Sequence, residues 1–273
     1  MFGVVGHTEW VDFAVCDRLP APGEILHARG AFSAAAGGGA VAAVQLRKLA
    51  GEAFFLTALG DDAAGGWARD DLLERDLVLE AASPAGAAQR RVFTFLTDDH
   101  ERTITVLGER LVPERDRDAL AWERCDRAEA VYFTGGDAGA LRAAREARVL
   151  VATPRAREAI RAAGVRLDVL VASASDPGET VDAFDPPPRY VVLTAGAEGG
   201  RWTGRDGTTG QWDAAALPGP ALDAYGCGDS FAAGLAYGLG TGMSLPDALG
   251  LAARCGAHCL AGRGPYGAQL ALG

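Results

Sequence analysis

Lysine is almost missing from this sequence. Of its 26 basic residues only Lys48 is a lysine, so the other 25 are arginines. That excludes functions that need a lysine at a set place. A Walker A loop requires Gly-Lys followed by Ser or Thr, whereas Lys48 lies in Leu46-Arg47-Lys48-Leu49, within an apolar run of helical character. A protein-kinase core or a Schiff-base enzyme would have to use the same residue, and its setting suits neither. Long apolar runs are missing too, with none near the roughly 18 to 20 residues of a membrane span. The five cysteines (16, 125, 227, 255 and 259) show no paired spacing and are expected as reduced thiols. Cys255, His258 and Cys259 share one helix at i, i+3 and i+4; with no fourth ligand nearby they read as packing rather than as zinc ligands. Positive charge is in short supply overall, since 36 acidic residues against 26 basic ones leave −10. Neither nucleic acid nor an anionic membrane is therefore an expected partner, and a small molecule is. The first residues, MFGVVGHTEW, carry no positive n-region and meet His7 and Glu9 early, which predicts a cytoplasmic location.

What is present is a globular composition, 49% hydrophobic over 273 residues, enough for one large core. Short β-rich runs alternate with Ala/Leu-rich runs along most of the chain. Strands are expected at 2–5, 53–58, 130–134, 149–152, 169–172 and 190–194, and helices at 39–50, 64–75, 136–147, 155–163, 228–239 and 244–259. That rhythm predicts a single α/β domain over 1–273, with a mostly parallel sheet covered by helices on both faces. Two stretches break it, about 10–32 and about 89–108, where alternation such as Thr103-Ile104-Thr105-Val106 suits a small sheet with one wet face. They are expected to form a lid, its first two strands separated by the turn Leu19-Pro20-Ala21-Pro22-Gly23. Residues 200–212 read as further antiparallel edge structure.

The chemistry concentrates at Asp223-Ala224-Tyr225-Gly226-Cys227-Gly228-Asp229-Ser230-Phe231, which runs straight into an Ala/Leu helix. The first N–H groups of a helix have no internal partner and sit at its positive end. Gly226, Cys227 and Gly228 can therefore wrap an anion with main-chain donors alone, without lysine. Asp229, in the first turn, stands where it could take a proton from a hydroxyl attacking that anion. The same residues also fit a glycine-rich loop whose aspartate only caps its helix.

This segment resembles the Asp-Thr-x-Gly-Ala-Gly-Asp signature of the ribokinase-like (PfkB-type) carbohydrate kinases: Asp223, Gly226, Gly228 and Asp229 fit it, while Ala224 and Cys227 replace Thr and Ala. The likeness extends over nearly the whole chain, through Gly6, Pro22-Gly23-Glu24, Gly37-Gly38-Gly39, Gly60-Asp61-Asp62-Ala63-Ala64-Gly65 and Leu193-Thr194-Ala195-Gly196-Ala197-Glu198-Gly199. The resemblance implies a ribokinase-like three-layer α/β/α fold with a small β lid, and ATP-dependent, Mg²⁺-assisted phosphorylation of a hydroxyl on a small sugar or sugar-like alcohol. It makes Asp229 the catalytic base and the amides of 226–229 the anion hole. It places Thr194, Gly196, Gly199 and Ser173 at the nucleotide, and a homodimer joined through the lids.

Departures from the pattern fall at the acceptor and at the metal. The family's Gly-Gly-Lys-Gly-Ala-Asn run is Ala36-Gly37-Gly38-Gly39-Ala40-Val41 here, so backbone approach at Gly37, Gly38 and Gly39 is kept and two polar contacts are not. Asp12 is expected to contact the acceptor, with Glu9 as the alternative; strand alternation puts the two on opposite faces. Arg102, on the lid, is expected to reach an anion over the cleft. Ser173-Ala174-Ser175-Asp176 replaces the family's Asn-x-x-Glu, leaving Asp176 as the metal residue, although Asp176-Pro177-Gly178-Glu179 is also a good helix start. The scarcity of lysine favours a neutral acceptor. A nucleoside kinase of the same family and a non-catalytic sensor on this fold remain open alternatives. A dinucleotide enzyme, suggested by G-x-G-x-x-A at 37–42, lacks the buried strand that motif needs before it.

Overall fold

The chain folds, in order, as β1 (Phe2–Val5), β2 (Glu9–Val15), β3 (Gly30–Ala36), α1 (Gly37–Ala50), β4 (Phe54–Ala58), α2 (Ala63–Leu73), β5 (Val78–Ala82), β6 (Arg91–Leu96), β7 (Arg102–Leu107), β8 (Ala130–Phe133), α3 (Ala138–Arg145), β9 (Val149–Ala152), α4 (Arg157–Ala163), β10 (Val169–Ser173), β11 (Tyr190–Thr194), β12 (Gly200–Gly204), β13 (Thr209–Trp212), α5 (Cys227–Gly240) and α6 (Leu245–Leu260). The structure is a computed structural model that describes residues 1–98 and 102–272; Glu101, beside Arg102, lies outside the described residues.

Nine strands form one sheet in the order β13-β12-β11-β10-β9-β8-β1-β4-β5. Neighbours from β11 to β5 are parallel, and β12 and β13 are added antiparallel. Phe2–Val5, Ala130–Phe133 and Val149–Ala152 are buried at every position, because helices cover both faces and no polar alternation is needed. Tyr132 faces a core shared with Leu46 of α1, Leu72 of α2, Leu235 of α5 and Leu249 of α6. Its neighbours Val131 and Phe133 face the opposite core with Leu141 of α3 and Ile160 of α4. The architecture is the expected three-layer α/β/α.

The stretches that broke the rhythm form a second sheet, ordered β3-β2-β6-β7. Its side chains alternate: Val92, Thr94 and Leu96 are buried while Arg91 and Phe93 are exposed. The second of the two strands expected within about 10–32 forms later, at Gly30–Ala36. Glu24 is held at the preceding turn by Arg18 and the Ala21 N–H, and Val15 pairs with Gly30, so pairing begins later. Ala34, Ala35 and Ala36 are buried, which lets packing override alanine's helical preference. A strand thus does precede the 37–42 glycines, contrary to the sequence expectation. It belongs to the small antiparallel sheet, however, so the βαβ context of a dinucleotide site is still lacking. β5 carries no strong strand signal and pairs parallel with β4 at the sheet edge.

From β1 the chain goes first to β4 and β5 on one side, then returns to β8 and onward on the other. Open α/β sheets bind ligands at the carboxyl ends of strands where the order reverses, here the ends of β1 and β8. No helix among the described residues is long and apolar enough to cross a membrane. Phe55 is fully buried and lies 3.0 Å from where a Cβ on Gly39 would stand, so it supports the turn into α1. Phe55→Ala should lower the free energy of unfolding by about 3 to 5 kcal/mol, measured by urea denaturation.

Candidate active site

α5 opens without a side-chain cap. Gly226 stands at its N-cap with φ 80°, a conformation that favours glycine, and a Cβ there would come 2.9 Å from Val41 Cγ1. Among the described residues the N–H groups of Gly226, Gly228 and Asp229 meet no acceptor, and that of Cys227 reaches only the Ala224 carbonyl at 3.5 Å. These are free donors at the positive end of a 14-residue helix, as an anion hole requires. The loop is braced from below: buried Asp223 accepts from the Tyr225 and Gly264 N–H groups, each at 2.7 Å. The Tyr225 hydroxyl accepts from the Gly37 N–H at 3.3 Å, which fastens the loop to the start of α1.

α1 also opens on glycine, with Gly37 at φ 83° and no side-chain cap. A Cβ on Gly38 would lie 2.8 Å from Asp229 Oδ1. Two glycine-led helix starts therefore meet across one carboxylate. Burial, first, and the charge of Glu179, next, push the Asp229 carboxyl up to about 7 against the opposing charges of Arg155 and Arg102. A carboxylate near 7 is suited to taking a proton at neutral pH.

The glycine run brings in Glu9 and His7. A Cβ on Gly37 would be 3.1 Å from Glu9 Cγ and 3.2 Å from His7 Nε2. Glu9 lies 3.4 Å from Arg90 Nε, and burial raises its carboxyl above the usual range. His7 follows β1, is buried, and is held neutral by burial and by the charges of Arg110, Arg90 and Arg155. Asp12 is not part of this group: its carboxylate accepts from Ser33 at 2.6 Å and from Arg91 at 2.8 Å. The reason is the alternation of β2, which turns Glu9, Val11 and Phe13 toward the cleft side and Asp12 away. Arg102 is exposed at the start of β7 opposite Leu96, on the face turned toward Asp223, Cys227 and Asp229, whose ionisation its charge affects.

On the other side of Asp229, Ser173 and Thr194 end the paired strands β10 and β11 in register, and Gly196 and Gly199 form the turn into β12. Asp176 does not stand free for a metal. One of its oxygens accepts from the Gly178 N–H at 2.8 Å and the other is paired with Arg155. Glu179 is similarly engaged, by Arg155 Nε and the Ser173 N–H, each at 2.8 Å. The helix-start signal in Asp176-Pro177-Gly178-Glu179 prevailed, as a turn of 3₁₀ helix, and no cluster of three candidate metal ligands occurs among the described residues.

Sequence reasoning passed over Arg90, Arg110, Arg155 and Glu179. Arg90 lies within the predicted lid and Glu179 within the predicted helix start, but no local pattern marks Arg110 or Arg155, each of which stands three residues past the end of a strand, β7 and β9.

Comparison with known proteins covers this geometry. A sequence profile described as pfkB family carbohydrate kinase matches residues 147–270, which include the α5 loop. An ATP-dependent ribose-1-phosphate kinase of Halopiger xanaduensis is 30% identical over 270 residues, covering 92% of this chain and 89% of that protein. Ribokinase of Thermotoga maritima superposes with a TM-score of 0.76 at 16% identity, over 99% of this chain and 96% of its own. Arabidopsis thaliana ribokinase complexed with ribose and ATP gives 0.74 at 19% identity, over 98% and 95%.

The brace at Asp223 is testable by itself. Asp223→Ala leaves two buried N–H donors unpaired and should cost about 2 to 5 kcal/mol of stability, read as a lowered midpoint in thermal or urea denaturation.

Proposed function

The chain belongs to the pfkB family of carbohydrate kinases, and on that premise we propose that Asp229 is the base of an ATP-dependent transfer to a sugar hydroxyl. The oxygen of the acceptor attacks the terminal phosphorus of ATP, the bond to the bridging oxygen of ADP breaks, and the hydroxyl proton passes to Asp229. The free amides of residues 226–229 receive the charge of the phosphoryl group in flight. The observation that carries this reading is the carboxylate raised to about 7 between two uncapped helix starts; a non-catalytic sensor has no use for such a base.

The nucleotide lies at the ends of β10 and β11, along Ser173, Thr194, Gly196 and Gly199. The donors around Asp176 do not fit a metal held by the protein alone, since Arg155 and backbone N–H groups occupy them. Mg²⁺ then enters this proposal bound to the phosphate oxygens of ATP, where a hard cation neutralises charge. The small sheet acts as the lid, with Ile104 and Val106 on the cleft side of β7, and excludes water that a base near 7 would also activate. Its exposed Phe93 and Leu107 and its open edge at β7 support a homodimer. Five free cysteines and the need for ATP fit the cytoplasm.

Asp229→Asn should reduce turnover at least about a thousandfold while ATP binding stays within a few-fold, by coupled assay and calorimetry; retained turnover would remove Asp229 from the role of base. For the wild type kcat/KM should fall below a pH of about 7, and Glu179→Gln should move that limb toward acid by removing a negative neighbour. The sign for stability follows from the same shift. A carboxyl raised from 3.8 to about 7 favours the folded state while protonated, so its contribution is full below 3.8 and is lost as pH rises through 7. Asp229→Asn should accordingly gain stability relative to wild type between pH 5 and pH 8.

A further inference from the structure

The amino end of α5 carries a thiol as well as amides. Cys227 is the first residue of that helix, stands where the family pattern has alanine, and is only partly buried. Cys259, in the last turn of α6, is buried, and the two thiols hydrogen-bond each other. The backbone explains the meeting. A Cβ on Gly256 would stand 3.4 Å from the Cys227 carbonyl oxygen, so α6 lies close upon the start of α5 one turn before Cys259. From there Cys259 Sγ reaches the Tyr225 carbonyl at 3.3 Å and the Pro265 carbonyl at 3.8 Å, while Cys227 Sγ reaches the Asp223 carbonyl at 3.9 Å. Both sulfurs therefore sit within the loop that shapes the anion hole, yet phosphoryl transfer through N–H donors and Asp229 uses neither.

Other thiols of the chain have no such setting. Cys255, one turn earlier on α6, lies in an apolar cluster with Leu49, Leu251 and Leu270, and burial pushes it up to about 12. Burial does the same to Cys125. A thiol so raised is inert. When the pair at the helix start loses one proton, the charge settles on Cys259: hydrogen bonds from Cys227, first, and from Ser230 lower it against the effect of burial. The bond to Cys259, first, and burial raise Cys227 in turn. One proton is thus held between two sulfurs, of which Cys227 is reachable from solvent.

We propose that Cys227 and Cys259 are a modification site, a thiol pair that hydrogen peroxide converts to a disulfide, which distorts the anion hole and stops phosphoryl transfer until a dithiol reductant reopens it. The Cys227 proton passes to Cys259 as Cys227 Sγ attacks one oxygen of the peroxide; the O–O bond breaks and hydroxide leaves. Cys259 Sγ then attacks the sulfur of the sulfenic acid so formed, the S–O bond breaks, and the oxygen departs with the Cys259 proton as water. The sulfurs lose two electrons and the peroxide gains them. Bonding draws the two sulfurs from hydrogen-bond contact to about 2 Å. Because Cys227 is the first helical residue, the N–H groups of 226–229 and the Asp229 carboxylate are displaced with it, and a shift of about 1 Å at such a site costs roughly 100-fold in rate. Disulfides in a reducing compartment are usually transient and redox-sensing, which agrees with the free state of both thiols here. The loss of turnover rests on the reading of the 226–229 amides as anion hole and Asp229 as base; the formation of the bond does not.

The test treats the wild type with hydrogen peroxide and reads tryptic peptides by mass, ADP release from ATP with ribose and with ribose 1-phosphate as acceptors, and calorimetric binding of ATP. Peptides 206–254 and 255–263, which carry Cys227 and Cys259, should emerge joined with the loss of two hydrogens, fragmentation placing the bond at Cys259 and not at Cys255. ADP release should fall about 100-fold, ATP binding should weaken, and both should return with dithiothreitol. Cys259→Ser should keep the turnover of the reduced wild type and, under peroxide, give a Cys227 sulfenic acid that dimedone traps in place of the disulfide, whereas Cys255→Ala should still form the bond. The wild-type peptides decide the pairing even if a variant folds poorly: unjoined peptides, or a bond to Cys255, would overturn it. Joined peptides with turnover and ATP binding unchanged would overturn the switch and leave the kinase reading intact. Joined peptides and weakened ATP binding, in a protein whose reduced form releases ADP with neither acceptor, would support the switch and overturn transfer to ribose or ribose 1-phosphate.

Discussion

The clearance between residue 38 and Asp229 sets the rest of the site. A single methyl group on Gly38 would stand 2.8 Å from the carboxylate oxygen, closer than packed atoms tolerate, so glycine there lets α1 and α5 point their amino ends at one spot. Each helix leaves N–H groups unpaired at that end, and the concentrated positive potential is what an anionic transition state needs. The potential is directional only because the loop before α5 is rigid. Asp223 ties it to Gly264, Tyr225 ties it to Gly37, and the Tyr225 ring packs edge-on against Phe13 of the small sheet. One loop therefore joins both sheets and both helices beside the Asp229 carboxylate.

The mostly parallel sheet and the α5 loop were legible in the chain because both rest on local patterns. Buried parallel strands such as Ala130–Phe133 read as short apolar runs, and a glycine-rich turn followed by an acidic first helical residue is a signature with a direct physical cause. The choice between Glu9 and Asp12 was half legible: alternation excluded both facing the cleft, but only the pairing of Asp12 with Ser33 and Arg91 decides which one turns away. Asp176 was misleading for a related reason. The residues that make a good metal loop also make a good helix start, and the presence of Arg155 across the turn, 21 positions away, settled the competition. Arg90 was marked only by lying in the predicted lid and Arg110 by nothing, since the two approach His7 only once β1, β6 and β7 are in place.

The distribution of charge separates two kinds of arginine in this chain. Most of the arginines are matched, as in the pairs Arg75–Asp71, Arg145–Asp168 and Arg148–Glu129, which is ordinary for a protein with ten more acids than bases and contributes little to stability when exposed. Arg155 belongs with them, as a clamp that positions Glu179 and Asp176. Arg110 differs: it is half-buried and makes no ion pair with a described residue, and the charges that oppose its own are those of Glu9 and Asp229.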